Sequence, residues 1–490
     1  MTEPLLCELS VSGRRAVHFP EADVPLFELP ESFVRHDLPL PELSEVDVIR
    51  HFTRLSQLNY CIDTGMYPLG SCTMKYNPRV NEETARMAGF AFAHPLQPPS
   101  SVQGSLELMY KLQEYLMEIG GFDGVSLQPA AGAHGELTGV LIILAYHTSR
   151  GDTKRNKILI PDSAHGTNPA TSSMSGLQVV ELKSDATGNI DLEALRAECD
   201  DTLVGLMFTN PNTLGLFDEN VEDVVELVHD AGGLVYGDGA NMNALLGIVR
   251  PGDLGFDVLH YNLHKTFSTP HGGGGPGSGP IGVAPHLVDF LPGPIIVITQ
   301  EGDNENPTQY GFLQPAKSIG RVKSFNGHFA MMVRAYTYIR VYGPDGLRKI
   351  AEHAVLNANY LRMLLRDTYH LPYDRTCMHE FVLEGRWPDA PDIHALDISK
   401  RMMDYGLHPP TNYFPLIVHD ALMIEPTETE SKQSLDAFTD VMLKIAEEAH
   451  SNPELLHNAP HITPVGRLDE VKAAKELVLC CDVGAILADK

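Results

Sequence analysis

The sequence predicts an α/β fold: a mostly parallel mixed sheet in a large domain, followed by a smaller α+β domain. Three observations lead there. Between residues 101 and 340, short apolar runs alternate with amphipathic stretches. Each of the clearest runs ends in polar residues. The last third then changes to one strand-like run and long helical periodicity.

The chain opens differently. Residues 1 to 100 form a proline-rich N-terminal arm, in which "HFPEADVPLFELPESFVRHDLPLPEL" is too interrupted to be one regular element. Within the arm, "YPLGSCTMKYNP" (Tyr67 to Pro78) reads as an ordered loop. Residues 101–340 supply the large domain. "NKILIPDSAH", "VGLMFTNPN", "GGLVYGDGA" and "FDVLHYNLHK" read as strands, and "NVEDVVELVHDAG" as an amphipathic helix between two of them. Residues 341–490 supply the small domain, with "VLEG" as a strand. "SKQSLDAFTDVMLKIAEEA" places Leu435, Phe438, Met442 and Ile445 on one helical face.

Composition narrows the function. The 490 residues are 43% hydrophobic and 20% charged, as in an ordinary globular chain. Lys+Arg is 36 against Asp+Glu 64, a formal charge of -28, which disfavours nucleic acid and anionic membrane as partners. No apolar run approaches the roughly 20 residues of a membrane span. "MTEPLLCELSVSGRR" lacks the pattern of a signal peptide. The seven cysteines show no metal-ligand spacing, and no metal site is expected. An odd, unpatterned count, including adjacent Cys480 and Cys481, suggests reduced thiols and a cytoplasmic location.

Ligands of open α/β sheets collect beyond the carboxyl ends of the strands. The polar ends of the four runs supply His165, Thr209 with Asn210, Asp238, and His264 with Lys265. Alone, each has a plainer reading: a strand-end histidine as a satisfied structural residue, an Asp-Gly as a turn. The group is more specific, because every run ends in chemistry.

"QPAAGAHGELTGVLIILAYH" reads as a helix apolar nearly all round, hence buried. Gly132 and Gly135 near its first turn permit close backbone approach, and a helix start favours an anion such as phosphate. A tight turn into a buried helix remains an equal reading. Neither GxGxxG nor GKS/T is present, which disfavours dinucleotides and nucleoside triphosphates. A lysine, an acid 27 positions before it and a phosphate cradle together suggest pyridoxal phosphate. Lys265 would form the Schiff base, and Asp238 would keep the pyridine nitrogen protonated. The run "HGGGGPGSGP" behind the lysine would let backbone approach the cofactor closely.

The segments "GSCTMKYNP", "AGAHGE", "DSAHGTNPA", "TNPNTLGLF", "GDGANMNA", "NLHKTFSTPHGGGGPG" and "EPTETESK" resemble the glycine decarboxylase family, the P-protein of the glycine cleavage system. The resemblance runs from about residue 50 to beyond 430, and the length resembles the second, lysine-bearing subunit of its two-chain form. It implies the pyridoxal-phosphate-dependent transferase fold of the aspartate-aminotransferase type (fold type I). It also implies Lys265 as the cofactor lysine, Asp238 on the pyridine nitrogen, His165 stacked on the ring and Ala240 on the other face. Gly132, Ala133 and His134 would hold the phosphate. Thr209 would lie near the cofactor hydroxyl, and His264, beside the lysine, would also bind the cofactor. Thr73 and Lys75 would belong to an active-site loop. The implied reaction releases carbon dioxide from glycine and passes the aminomethyl group to the lipoyl arm of H-protein. The implied assembly is a heterotetramer with a homologous chain lacking the lysine.

Two other readings stand beside this one. An aminotransferase of the same fold commonly grips the substrate carboxylate with an arginine from the small domain. No arginine lies between Arg401 and Arg467, which favours a carboxylate free to leave, although Arg321 could substitute. A non-catalytic subunit is the third reading, and Lys265 together with Asp238 and His165 argues against it.

Overall fold

The apolar runs expected as strands are buried along their whole length, as strands covered on both faces must be. The computed structural model, which describes residues 3–36, 38, 40–271 and 277–479, joins them in a seven-stranded sheet. In chain order the strands are β1 (Gly124–Ser126), β2 (Lys157–Pro161), β3 (Gln178–Leu182), β4 (Leu203–Phe208), β5 (Leu234–Gly239), β6 (Val258–Tyr261) and β7 (Ile281–Val283). Their spatial order is β1-β7-β6-β5-β4-β2-β3. Strands β2 to β6 pair in parallel, and β7 is antiparallel to both β6 and β1. The predicted mostly parallel mixed sheet is therefore present.

Side chains alternate between two cores, one on each face of the sheet. Ile158 and Ile160 join Val140, Ile142 and Ile143 from the helix Gly132–Ser149. Leu159, Val235 and Leu259 join Val224 and Val228 from the helix Val221–Asp230. The first of these helices is the one read as buried; eight of its 18 residues are buried, while Ala133, Leu141, Thr148 and Ser149 are exposed.

Beyond the sheet, β8 (Ile295–Gln300) and β9 (Gln309–Leu313) form an antiparallel hairpin. The helical stretch Phe329–Leu365 follows. It is interrupted at Gly343, whose φ is 62° and which precedes Pro344, the breaker pair of "VYGPDG". A small antiparallel sheet then forms from β10 (Phe381–Glu384), β11 (Thr411–Asn412) and β12 (Ala421–Ile424), in the order β10-β12-β11. The helix Lys432–Ser451 buries Leu435, Phe438, Met442 and Ile445 against Phe381, Leu383, Leu422 and Ile424. That face is the one the periodicity selects.

The loop "PLGSCTMK" is fastened to the small sheet. Leu69 bridges to Ile424, Gly70 N–H donates to Met423 O at 3.2 Å, and Glu425 N–H donates to Pro68 O at 3.3 Å. A Cβ on Gly70 would lie 2.7 Å from the Met423 carbonyl oxygen, so only glycine allows this approach.

Contacts divide the chain into two compact units, Met1–Gly65 with Asn458–Lys490, and Met66–His457. These breaks do not fall at 100 and 340. The loop and the residues that follow it group with both sheets because their hydrogen bonds go there, and the chain's last segment groups with its first. In the first unit the proline-rich stretch carries only the short turn Glu31–Phe33 among its described residues. The helix Glu45–Gln57 follows it, capped by Ser44, which accepts from Asp47 N–H. The expected arm did not include that helix, although "SEVD" is a start signal. Glu3 is bonded there by Arg54, at 2.6 and 2.7 Å, and by His51 at 3.0 Å.

Among the described residues, no helix is long and apolar enough to cross a membrane. Cys7, Cys61, Cys72, Cys199 and Cys377 are free thiols, while Cys480 and Cys481 lie outside the described residues.

Candidate active site

Lys265 follows β6 in a tight turn, in which its N–H donates to Asn262 O and its carbonyl accepts from Ser268 N–H, each at 3.1 Å. The turn buries the side chain and aims Nζ at the carbonyl of Ser71, 2.7 Å away. Asp238 sits near the end of β5, paired across the ladder with His260. His165 follows β2 and Thr209 follows β4. Parallel pairing puts these strand ends on one edge, where Lys265, Asp238, His165, Thr209, Ala240 and Ser71 line one cavity. Five expected residues from four segments thus meet in one place.

The acid is held from several sides. Asp238 Oδ1 accepts from Ala240 N–H at 3.0 Å and lies 3.6 Å from His260 Nε2. His260 Nδ1 is 2.5 Å from the Tyr236 hydroxyl, and burial pushes this imidazole down to about 4, so it is neutral near pH 7. Turned so that its nitrogen faces them, the Asn168 amide donates to Asp238 Oδ2 at 3.2 Å and to Glu136 Oε2 at 2.9 Å. Glu136 is buried on the helix Gly132–Ser149 and accepts from Thr167 Oγ1 at 2.6 Å. Burial, and then the charge of Asp238, pushes its carboxyl up to about 8. His165 Nδ1 is 2.9 Å from Thr167 Oγ1, and burial holds the imidazole below its ordinary value.

At the helix start, the amides of Gly132, Ala133 and His134 precede the first intrahelical bond, which Gly135 N–H donates to Ala131 O. His134 Nδ1 accepts from Ala130 N–H at 3.1 Å. The end of the glycine-rich run packs here: a Cβ on Gly279 would collide with Ala131 O. Residues 272–276 of that run lie outside the described residues. Near this helix start, Asn262 Oδ1 and Ser278 Oγ are buried with no hydrogen-bond partner among the described residues, and Thr209 Oγ1 is another such atom on the cavity wall.

His264 is turned away from the cavity. Its Nδ1 accepts from Ser278 N–H at 3.4 Å, and its ring meets His271 edge-on at 5.5 Å. Thr73 and Lys75 flank the cavity without lining it. Thr73 Oγ1 donates to Glu425 Oε1 at 2.6 Å. The buried Lys75 ammonium donates to Thr266 O at 2.6 Å, the Tyr338 hydroxyl at 3.0 Å and Glu428 Oε1 at 2.7 Å, so it braces the residue next to Lys265. Arg321 is bonded to Phe325 O, and Arg401 to Glu448 and Asp404. No arginine lines the cavity among the described residues.

Sequence reasoning missed His379 and Glu380, which line the cavity from the side of the small sheet, Ser71 and Asn241, which also line it, and Glu136 and Glu425 beside these residues. Glu136 had a signal, a carboxylate in a helix otherwise apolar nearly all round. His379 and Glu380 had none, because only long-range pairing brings them in.

A family model described as glycine dehydrogenase, C-terminal domain, matches residues 350–461. The chain is 57% identical over 480 residues to a protein of Alkaliphilus oremlandii named probable glycine dehydrogenase (decarboxylating) subunit 2, covering 97% of each. It is 58% identical to a protein of the same name from Caldanaerobacter subterraneus, covering 97% of this chain and 98% of that one. Among solved structures it resembles a glycine decarboxylase (P-protein) of the glycine cleavage system in inhibitor-bound form. The TM-score is 0.73 at 21% identity, over 85% of this chain and 93% of that one, a likeness of fold.

Proposed function

The chain belongs to the family of glycine dehydrogenase (decarboxylating) subunit 2, and from that premise we infer how its own residues perform glycine decarboxylation. The observation that carries the reading is the convergence of Lys265, Asp238 and His165 on one cavity at the carboxyl end of β5 and β6. Their chemistry suits pyridoxal phosphate. Lys265 would hold it covalently, Asp238 would face its ring nitrogen, and His165 and Ala240 would flank the ring. Gly132, Ala133 and His134 would take the phosphate at the helix start. The partnerless buried atoms of Thr209, Asn262 and Ser278 are what a polar cofactor would satisfy. When bound, this cofactor supplies an electron sink for the pair left behind when carbon dioxide departs.

The protein's part is positioning and electrostatics. Asp238 would face the ring nitrogen, and the neutral His260 beside it adds no competing positive charge. Neutral His165 presents an uncharged ring for stacking. A lining without arginine leaves the substrate carboxylate unclamped, which suits its loss and counts against an aminotransferase. His264 would act on the Lys265 turn and not on the cofactor directly.

The aminomethyl group would pass to the lipoyl arm of H-protein, and a homologous chain lacking the lysine would complete the enzyme as a two-and-two heterotetramer. The exposed row Phe19, Leu26, Phe27, Leu29, Phe33 and Leu40 supports a partner-covered arm. The test is glycine-dependent exchange of labelled carbon dioxide with both chains and lipoylated H-protein present. Exchange that vanishes without glycine supports the reading. Amino-group transfer to a keto acid at a comparable rate would replace it with the aminotransferase.

A further inference from the structure

His379 and Glu380 stand just before β10, and Glu425 just after β12. Antiparallel pairing of Phe381 with Ile424 sets Glu380 and Glu425 side by side at the end of the small sheet, and Glu380 lines the Lys265 cavity. One ligand-type atom from each of the three residues lies within 4.8 Å of the others, and all three side chains are buried. Glu425 Oε1 takes donors from Thr73 at 2.6 Å, Asn241 at 2.9 Å and Asn243 at 3.1 Å. Glu380 Oε2 takes the Ser71 N–H at 2.7 Å, and its Oε1 lies 3.6 Å from His379 Nε2. Both ring nitrogens of His379 and Oε2 of Glu425 have no hydrogen-bond partner among the described residues.

Two carboxyl groups this close, out of water, do not both ionise. Burial, and then the neighbouring Glu425, pushes Glu380 up to about 8. Burial pushes Glu425 up to about 7. The other titratable groups facing the pair are Lys265, which favours ionisation of both, Glu428, which opposes it at Glu425, Cys72, and His379, which burial holds neutral by pushing it down to about 3.

We propose that Glu380 and Glu425 share one proton at the wall of the Lys265 cavity and deliver it to the sulfur anion that the reaction leaves there. This rests on the function inferred above. In that reaction a carbon–sulfur bond forms as the disulfide bond breaks, oxidising the carbon and reducing the disulfide by two electrons. The electron pair of the broken bond departs on the second sulfur as thiolate, and the shared proton converts it to thiol. Water then restores the proton to the pair. Thr73, Asn241 and Asn243 steady the charge on Glu425 while the proton is away.

The test has two readouts. Infrared spectra of the assembled enzyme, loaded with pyridoxal phosphate, are compared with those of Glu380→Gln/Glu425→Gln. The difference should hold a deuterium-sensitive C=O band of a protonated carboxylic acid at neutral pH, which fades as pH rises through about 8. Absence of that band at neutral pH overturns the shared proton, as does its replacement by two ionised carboxylates on a bound divalent cation. In the assembled enzyme, transfer to lipoylated H-protein should fall in the parent above pH about 8. Glu380→Gln should lower transfer about a hundredfold and abolish that limb. Should this variant fail to fold, Glu425→Gln serves with the same expectation. An unchanged pH profile in a folded variant overturns the delivery step. If the parent neither exchanges carbon dioxide nor transfers carbon, the functional reading fails with the delivery step, and the infrared band still decides the proton pair.

Discussion

The Lys265 ammonium donates to the carbonyl of Ser71 at 2.7 Å, a contact between a large-sheet turn and a loop almost two hundred residues earlier. Ser71 reaches that position with φ at 61°, in the left-handed region that non-glycine residues seldom occupy. The same residue donates its N–H to Glu380. Borohydride reduction of the loaded chain followed by peptide mapping should place the cofactor on Lys265. Lys265→Ala should lose the visible absorbance and turnover with its circular dichroism unchanged. A label recovered on Lys75 or any other lysine refutes the assignment.

Asp238→Asn keeps the shape of the side chain and removes its charge. If the carboxylate stabilises a protonated ring nitrogen by two pKa units, its loss costs about 2.7 kcal/mol, about a hundredfold in rate. Steady-state decarboxylation by this variant should fall by at least that much. A rate within about threefold of the parent would remove Asp238 from this role.

Lys75 and Glu428 form an ion pair at 2.7 Å with almost no exposure of either side chain. Removing one partner of such a pair leaves a buried charge, at a typical cost of about 3–5 kcal/mol. Lys75→Met should lose about that much stability in urea denaturation, and Lys75→Met/Glu428→Gln should recover a large part of it. Additive losses in the double variant would show that the two groups do not compensate each other.

Glu136 gives a pH signature. Its folded pKa is raised from 4.5 to about 8, so its neutral form is the stabilising one. That contribution is complete below about 4.5 and is lost as pH rises through about 8. Each raised unit corresponds to about 1.4 kcal/mol, so Glu136→Gln, neutral at every pH, should gain more than about 1 kcal/mol on the parent under alkaline conditions. Thermal denaturation across that range decides it: parallel curves would mean that Glu136 ionises freely.

The chain should need its partner. The exposed apolar row in residues 19 to 40, with Phe27 93% accessible, is the kind of surface a partner would cover. An obligate interface typically buries more than about 2,000 Å². The chain alone should aggregate or self-associate in sedimentation and exchange carbon dioxide poorly. Titration with the homologous chain should restore activity to a stoichiometric endpoint. Full exchange by the lone chain would remove the requirement and leave Lys265 and Asp238 untouched.

Much of this was legible in the residues. The runs ending at His165, Thr209, Asp238 and Lys265 were strands because continuous apolar stretches bounded by turns suit a sheet covered on both faces. Their polar ends met because parallel strands share a carboxyl edge. His379, Glu380 and Glu425 were not legible, since their approach depends on the register of β10 against β12 and no local spacing encodes it. Ser71 was hidden for another reason: its left-handed backbone is imposed by partners on both sides, and serine does not advertise it. Lys75 was expected in an active-site loop with no role attached, because only the fold supplies its partners Thr266, Tyr338 and Glu428.

The attachment of Leu69 and Gly70 to Ile424 and Met423 makes catalytic competence a property of the small sheet's local stability. A sub-global opening that frays this end of β12 would release Ser71 from Lys265 and Glu380 from Glu425 in one event, with the seven strands still paired. Amide exchange at Gly70 and Ser71 should then follow that of Met423 and Glu425 and not that of β4 and β5. Mild denaturant should silence the enzyme before the main sheet melts, leaving an inactive species that is still largely folded.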